Sequence, residues 1–229
     1  MIKRFLPYKL KVQINVIKNG ITDLFNGNFF NYSRTKNAKL NYIGNIIIVQ
    51  KIKQTKTTKS KLHNLKIAIN KIEKIQINPN EIFSFWKVVG KPSKKNGFAE
   101  SRSIVNDIIV PTYGGGLCQL SGLIYYACLQ ANIKIIERYN HSTDIYTDET
   151  RFTPLGSDAT VVYGFKDLKI KNSLKQEISF SFLLEKDQLV IKINSSDLID
   201  KNNVEFLHVN DKEVHTYINK AIATKSIYK

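Results

Sequence analysis

Tyr113-Gly114-Gly115-Gly116-Leu117-Cys118-Gln119-Leu120-Ser121-Gly122 holds the one run of three glycines in the 229-residue chain and one of its two cysteines. Ordering consecutive glycines costs backbone entropy, so the turn is expected to need φ > 0 or a close backbone approach. Beyond it, Leu117, Leu120, Leu123, Ile124, Ala127, Cys128 and Ala131 recur at spacings of three and four, which predicts a helix. Cys118 then falls in the first helical turn, where unpaired N–H groups and the positive end of the helix dipole favour a thiolate over a thiol. The N–H groups around Gly114, Gly115 and Gly116, with Gln119, are candidates to hold an oxyanion or a bound anion, and Ser121, one turn further in, to hydrogen-bond a substrate. The opposing reading is a small core cysteine behind a tight turn, with Gln119 and Ser121 merely satisfying backbone groups.

Upstream of this stretch, Ser103 to Val110 reads as a strand pair broken at Asn106-Asp107 by a hairpin turn. Ile82-Phe83-Ser84-Phe85-Trp86 alternates as a strand with its aromatic side inward, and Trp86 is expected to pack rather than stack on a ligand. Leu62, Leu65, Ile69 and Ile72 predict an amphipathic helix from His63 to Lys74, preceded by a loop or exposed edge over Lys51 to Lys61. Ile46 to Val49 predicts a buried strand. Residues 1–40 are ambiguous: Leu10, Val12, Ile14 and Val16 alternate as in a strand, while Val16-Ile17 with Leu24-Phe25 could line a helix.

Downstream, Ile133 to Arg138 and Ala159 to Phe165 are expected strands, separated by a polar loop over the site. Ile178 to Leu184, Leu189 to Ile193 and Val204 to Val209 follow as further strands. The sum is an α+β fold, mostly antiparallel sheet packed on the helix that follows the glycine turn. No repeat or linker marks a firm boundary, and residues 1–60 form a basic region, expected to join the same globule.

The formal charge of +16 is uneven: residues 1–75 carry 16 Lys and Arg against Asp23 and Glu73, or +14, and residues 76–229 carry 19 against 17, or +2. General lysine richness accounts for this as well as a function does, so no nucleic-acid partner is expected, while weak contact with an anionic surface stays open. On one helix Cys118 and Cys128 lie about 15 Å apart along the axis, too far for a disulfide. Free thiols, together with the lack of an apolar run long enough for a leader or a membrane span, lead to an expected cytoplasmic location.

Four separated blocks, Asn78-Pro79-Asn80-Glu81-Ile82-Phe83-Ser84-Phe85, Gly114 to Ser121, Glu137-Arg138-Tyr139-Asn140-His141-Ser142 and Gly156-Ser157-Asp158-Ala159-Thr160-Val161-Val162-Tyr163-Gly164, resemble the VanW-like family in order and spacing. The resemblance covers residues 61–175, leaving 176–229 as C-terminal antiparallel strands, and implies a link to the bacterial cell envelope and vancomycin resistance without fixing a reaction. The chain departs from the family in two places: Tyr139 stands where a first histidine is usual, and Ser157 where an arginine is usual.

Cys118, His141 and Asp158, or Asp144 in place of Asp158, make a candidate nucleophile, base and orienting acid, in the chain order of papain-like enzymes. The expected activity is hydrolysis or acyl transfer on an amide or peptide-like substrate such as a cell-wall precursor. The alternative is a binding module gripping an anion at the glycine turn. No cofactor is expected, and no metal site, because no close-spaced ligand pair supports one.

Overall fold

The computed structural model describes residues 6–34, 43–105, 108–143 and 153–229, without the side chains of 102–105 and 108–111. Its centre is a helix, α4 (Leu117–Gln130), buried on nearly every side: Leu120, Leu123, Ile124, Ala127 and Cys128 are all fully enclosed. A helix apolar all round must be covered all round. One cover is a four-stranded antiparallel sheet in the order β1-β9-β8-β2, made of β1 (Ile43–Lys51), β9 (Gln188–Ser195), β8 (Ile178–Leu184) and β2 (Gln76–Ile77). Leu189, Ile191 and Ile193 alternate inward along β9, and Phe180 of β8 meets Phe83 edge-on, with ring centroids 5.6 Å apart. Helix α2 (Thr58–Ile72) packs on β8 and α4 through Leu65, Ala68, Ile69 and Ile72.

A second sheet, β3 (Ile82–Ser84), β7 (Lys169–Lys171) and β6 (Lys134–Glu137), carries the segments that lead into the site. A hairpin of β4 (Glu100–Val105) and β5 (Ile108–Tyr113) delivers the chain to the glycine turn. Its last pair is Val105 with Ile108, and the turn expected at Asn106-Asp107 lies outside the described residues. The C-terminus forms a third sheet of β10 (Val204–Asn210), β11 (Glu213–Ile218) and β12 (Ala221–Ile227). The fold class is α+β.

Of the two readings open for the N-terminal region, the helix holds, as α1 (Tyr8–Phe25). Several expectations need correcting. Helix α2 begins at Thr58, inside the stretch expected to be a loop, because the Thr58 hydroxyl accepts the Thr55 N–H and anchors the first turn. The Ile46 to Val49 run is an edge strand with one face inward: Ile46 and Ile48 are buried, Ile47 and Val49 exposed. The strand expected through Trp86 stops at Ser84, whose hydroxyl accepts the Lys87 N–H at 3.2 Å and caps a short helix, α3 (Phe85–Val89). Trp86 packs edge-on against Phe85 and Tyr163.

Ala159 to Phe165 is not a strand either. Ala159 and Val161 are buried as inward-facing strand residues would be, yet the backbone groups pair off singly: Thr160 N–H with Tyr139 O at 2.6 Å and Val162 N–H with Lys166 O at 2.9 Å. The requirement to satisfy buried backbone groups is met here without a ladder.

Candidate active site

The glycine turn has the strained geometry its sequence implied. Gly114 and Gly116 sit at φ +90° and +99°. A Cβ on Gly114 would come within 2.7 Å of Pro92, and one on Gly116 within 2.8 Å of Lys61. The Gly115 carbonyl is held by the Asn64 amide at 3.2 Å. Gly116 is the N-cap residue of α4, and no side chain caps it. Leu117 N–H turns back to Gly114 O, and Gln119 and Leu120 N–H to Gly116 O, so the Cys118 N–H is not among the amides used to close the turn.

Cys118 is half-buried in that first turn, and its thiol lies 3.6 Å from the Val161 carbonyl. His141 follows β6, and its ring lies close enough to the Cys118 sulfur for each to shift the titration of the other. Its Nδ1 lies 2.7 Å from Asp158 Oδ2, so Nε2 is the ring nitrogen that the carboxylate leaves unengaged. Sulfur, imidazole and carboxylate from separate parts of the chain are therefore brought to one place. Asp144, the other candidate acid, lies outside the described residues together with most of the loop expected over the site.

Asp158 is the most heavily tied group in the site. Oδ2 accepts both the backbone N–H and the ring of His141, and Oδ1 accepts the Tyr228 hydroxyl at 2.6 Å and the Arg138 guanidinium at 2.9 Å. Arg138 also donates to the carbonyls of Asp158 and Gly156 and to Ser226, and lies over the Tyr125 ring, with its side chain only 5% exposed. Such fixed donors hold a carboxylate in its charged form. Neither Arg138 nor Tyr228 had been assigned a role from sequence. The signal for Arg138 was its place in a family block; Tyr228, 70 residues beyond Asp158, offered none.

The electrostatics follow. Burial pushes the Asp158 carboxyl up, but the His141 hydrogen bond and the Arg138 charge outweigh it and leave the pKa far below the carboxylate range. Burial pulls His141 down, yet Asp158 and Cys118 together raise it to about 10. Burial pushes the Cys118 thiol up, but the hydrogen bond and charge of His141 bring it below its ordinary value. Both shifts run in the direction that favours a thiolate beside an imidazolium. Cys128, fully buried on the same helix with no such partner, is pushed strongly upward.

The remaining expected contacts fall differently. Ser121 is fully buried and donates to Ala159 O at 2.6 Å, fastening the Asp158 loop to α4, so its hydroxyl is not open to a substrate. Gln119 donates to Lys51 O of β1 at 3.0 Å, which ties its amide to the sheet and leaves Oε1 buried without a partner. Gly122 supplies what sequence reading missed: a Cβ there would meet Ala159 N at 3.4 Å and Asp158 Cα at 3.5 Å, in van der Waals contact, so only a side chain larger than a methyl would press on the acid's loop. Ser157, at the position of the family's arginine, is buried and bonds Pro154 O. Among the described residues no group of three His, Cys, Asp or Glu is placed to hold a metal, and no helix is long and apolar enough to cross a membrane.

Comparison with known proteins agrees with this arrangement of blocks. The chain is 31% identical over 144 residues to the uncharacterized protein YoaR of Bacillus subtilis, a match covering 63% of this chain and 46% of that one. It is 32% identical over 113 residues to the vancomycin B-type resistance protein VanW of Enterococcus faecalis, covering 49% of this chain and 41% of that one. Each match thus spans less than half of the relative's own length. No solved structure matches. The family described as VanW like protein matches residues 60–194, more than half of the chain. The protein belongs to the VanW-like family.

Proposed function

We propose that the protein is a thiol-dependent hydrolase or acyltransferase acting on an amide or peptide-like substrate, with Cys118 as nucleophile, His141 as acid and base, and Asp158 as the orienting acid. The observation that carries this reading is the His141 ring held between Asp158, 2.7 Å away, and the Cys118 thiol, whose pKa it lowers. The thiolate attacks the carbonyl carbon, and the negative charge that develops on oxygen faces the N–H groups at the start of α4, Cys118 N–H among them. Imidazolium Nε2–H gives its proton to the leaving amine as the C–N bond breaks, leaving a thioester. Nε2 then takes a proton from water or an acceptor amine, which displaces the thiolate and releases the acyl group. Asp158, fixed by Arg138 and Tyr228, keeps the ring in the tautomer that presents Nε2 to the sulfur.

The likeness to a protein named for vancomycin resistance makes peptide termini of cell-wall precursors the first substrates to try. With such a peptide, Cys118→Ala is expected to abolish turnover while the fold is kept. Undiminished turnover would remove the mechanism.

A second reading, in which the turn grips an anion and breaks no bond, draws on Lys61. Its side chain lies against Gly116, and burial lowers its pKa to about 8. On that reading ligand binding survives Cys118→Ala and weakens on Lys61→Met.

A further inference from the structure

Helix α1 has two apolar faces, and only one is covered by the described residues. Val12 and Asp23 are buried against the domain, and the more exposed Tyr8, Val16 and Asn19 lie on the same side. Tyr8 stacks on Phe165, Val12 and Val16 lie against Gly164, Asn19 donates to Gly164 O, and Asp23 pairs with Lys169 at 2.8 Å. At 3.6 residues per turn, Leu10, Ile14, Ile17, Ile21, Leu24 and Phe25 fall about 170° around the axis from that face. All six are exposed, Ile17 at 63% and Phe25 at 85%. The following turn continues the surface with Phe29 and with Phe30, 75% exposed. An unbroken apolar stripe of this length on a folded surface calls for an occupant.

The charges around it identify one. Residues 1–34 contain six Lys or Arg, and their one acid, Asp23, is buried in its ion pair on the opposite face. Lys18 borders the stripe on α1, and Lys87 reaches over the rings of Phe29 and Tyr32 beside it. Two copies of this helix meeting stripe to stripe would bring like charges together with no acid to answer them, the reverse of what helix pairing favours. A bilayer with anionic headgroups satisfies both features: its acyl region takes the apolar stripe and its phosphates take the lysines.

We propose that α1 and the Phe29-Phe30 turn dock the protein on an anionic membrane surface, lying in the interface rather than crossing it. The covered face of α1 grips Gly164, in the same loop whose Val161 carbonyl receives the Cys118 thiol. Docking therefore brings the headgroups to about one helix diameter, roughly 10 Å, from that loop. The proposal rests on α1 alone and stands whether or not Cys118 is a nucleophile.

The test is flotation of the full chain with vesicles of phosphatidylcholine alone and of phosphatidylcholine mixed equally with phosphatidylglycerol. Binding is expected to the mixed vesicles and not to the neutral ones, and to weaken on raising salt to about 0.5 M, where surface charges are screened. Ile17→Ser with Ile21→Ser removes exposed side chains only, and is expected to lower vesicle binding at least about tenfold with the fold unchanged by circular dichroism. A wild-type chain that stays with the unbound fraction overturns the proposal, and so does equal binding by the double variant. A dimer in solution that the same variant abolishes, with no vesicle binding, overturns it in favour of self-association.

Discussion

Asp158→Asn should move the titration of a residue it does not touch. The carboxylate accepts four hydrogen bonds, two on each oxygen, whereas the amide has a single acceptor oxygen and no charge. A hydrogen bond to a charged partner contributes about 1.5–3 kcal/mol, and one pKa unit corresponds to about 1.4 kcal/mol. His141 should therefore fall from about 10 by roughly one to two units, with the Cys118 thiol rising as its cationic neighbour is lost. The Arg138 guanidinium, 5% exposed, also loses its counter-charge, and stripping one partner from a buried pair costs about 3–5 kcal/mol of stability.

The assay is the rate of iodoacetamide alkylation of Cys118 against pH, with Cys128 silent because it is fully buried. Wild-type alkylation should persist below the ordinary thiol pKa, and in the variant its midpoint should shift upward. Tyr228→Phe keeps the charge and removes one hydrogen bond, so a shift of under about one unit is expected in a variant that folds. An unchanged midpoint in a folded Asp158→Asn protein would refute the relay.

Stability should follow pH with signs set by two groups. His141 is raised above its ordinary 6.5, so its contribution is complete below that value and is lost as pH rises through about 10. Asp158 is lowered below 3.8, so its contribution is present above that value and is lost as pH falls beneath it; urea midpoints across pH should show both limbs. Gly122→Val should push the Ala159 backbone off α4 and slow Cys118 alkylation, with helix content by circular dichroism unchanged. Lys169→Met leaves Asp23 and Glu137 without their shared cation and should lower the melting temperature by about 10 °C.

The central helix was legible because α4 is apolar at every position its period requires. Helix α1 was not, for a geometric reason: two residues advance a helix by about 200°, so a helix with opposed apolar faces alternates as a strand does. Leu10 and Ile14 fall on one side of the helix, while buried Val12 and the partly exposed Val16 fall on the side that meets Gly164, and the alternation is real without being a strand. The Ala159 to Val162 run misled because β-branched residues suit any buried extended segment, laddered or not. Cys118, His141 and Asp158 were nameable through family blocks; their meeting in space is a tertiary fact. Tyr228 is an ordinary tyrosine until β12 brings it beside the carboxylate.

That last contact ties the relay to the order in which a ribosome makes the chain. Sulfur, ring and carboxylate have all been synthesised before the hydroxyl that locks the carboxylate exists. A nascent chain that has not yet reached residue 228 holds the carboxylate through Arg138 but lacks that lock. The firmest seat for the imidazole therefore comes only once residue 228 has been added.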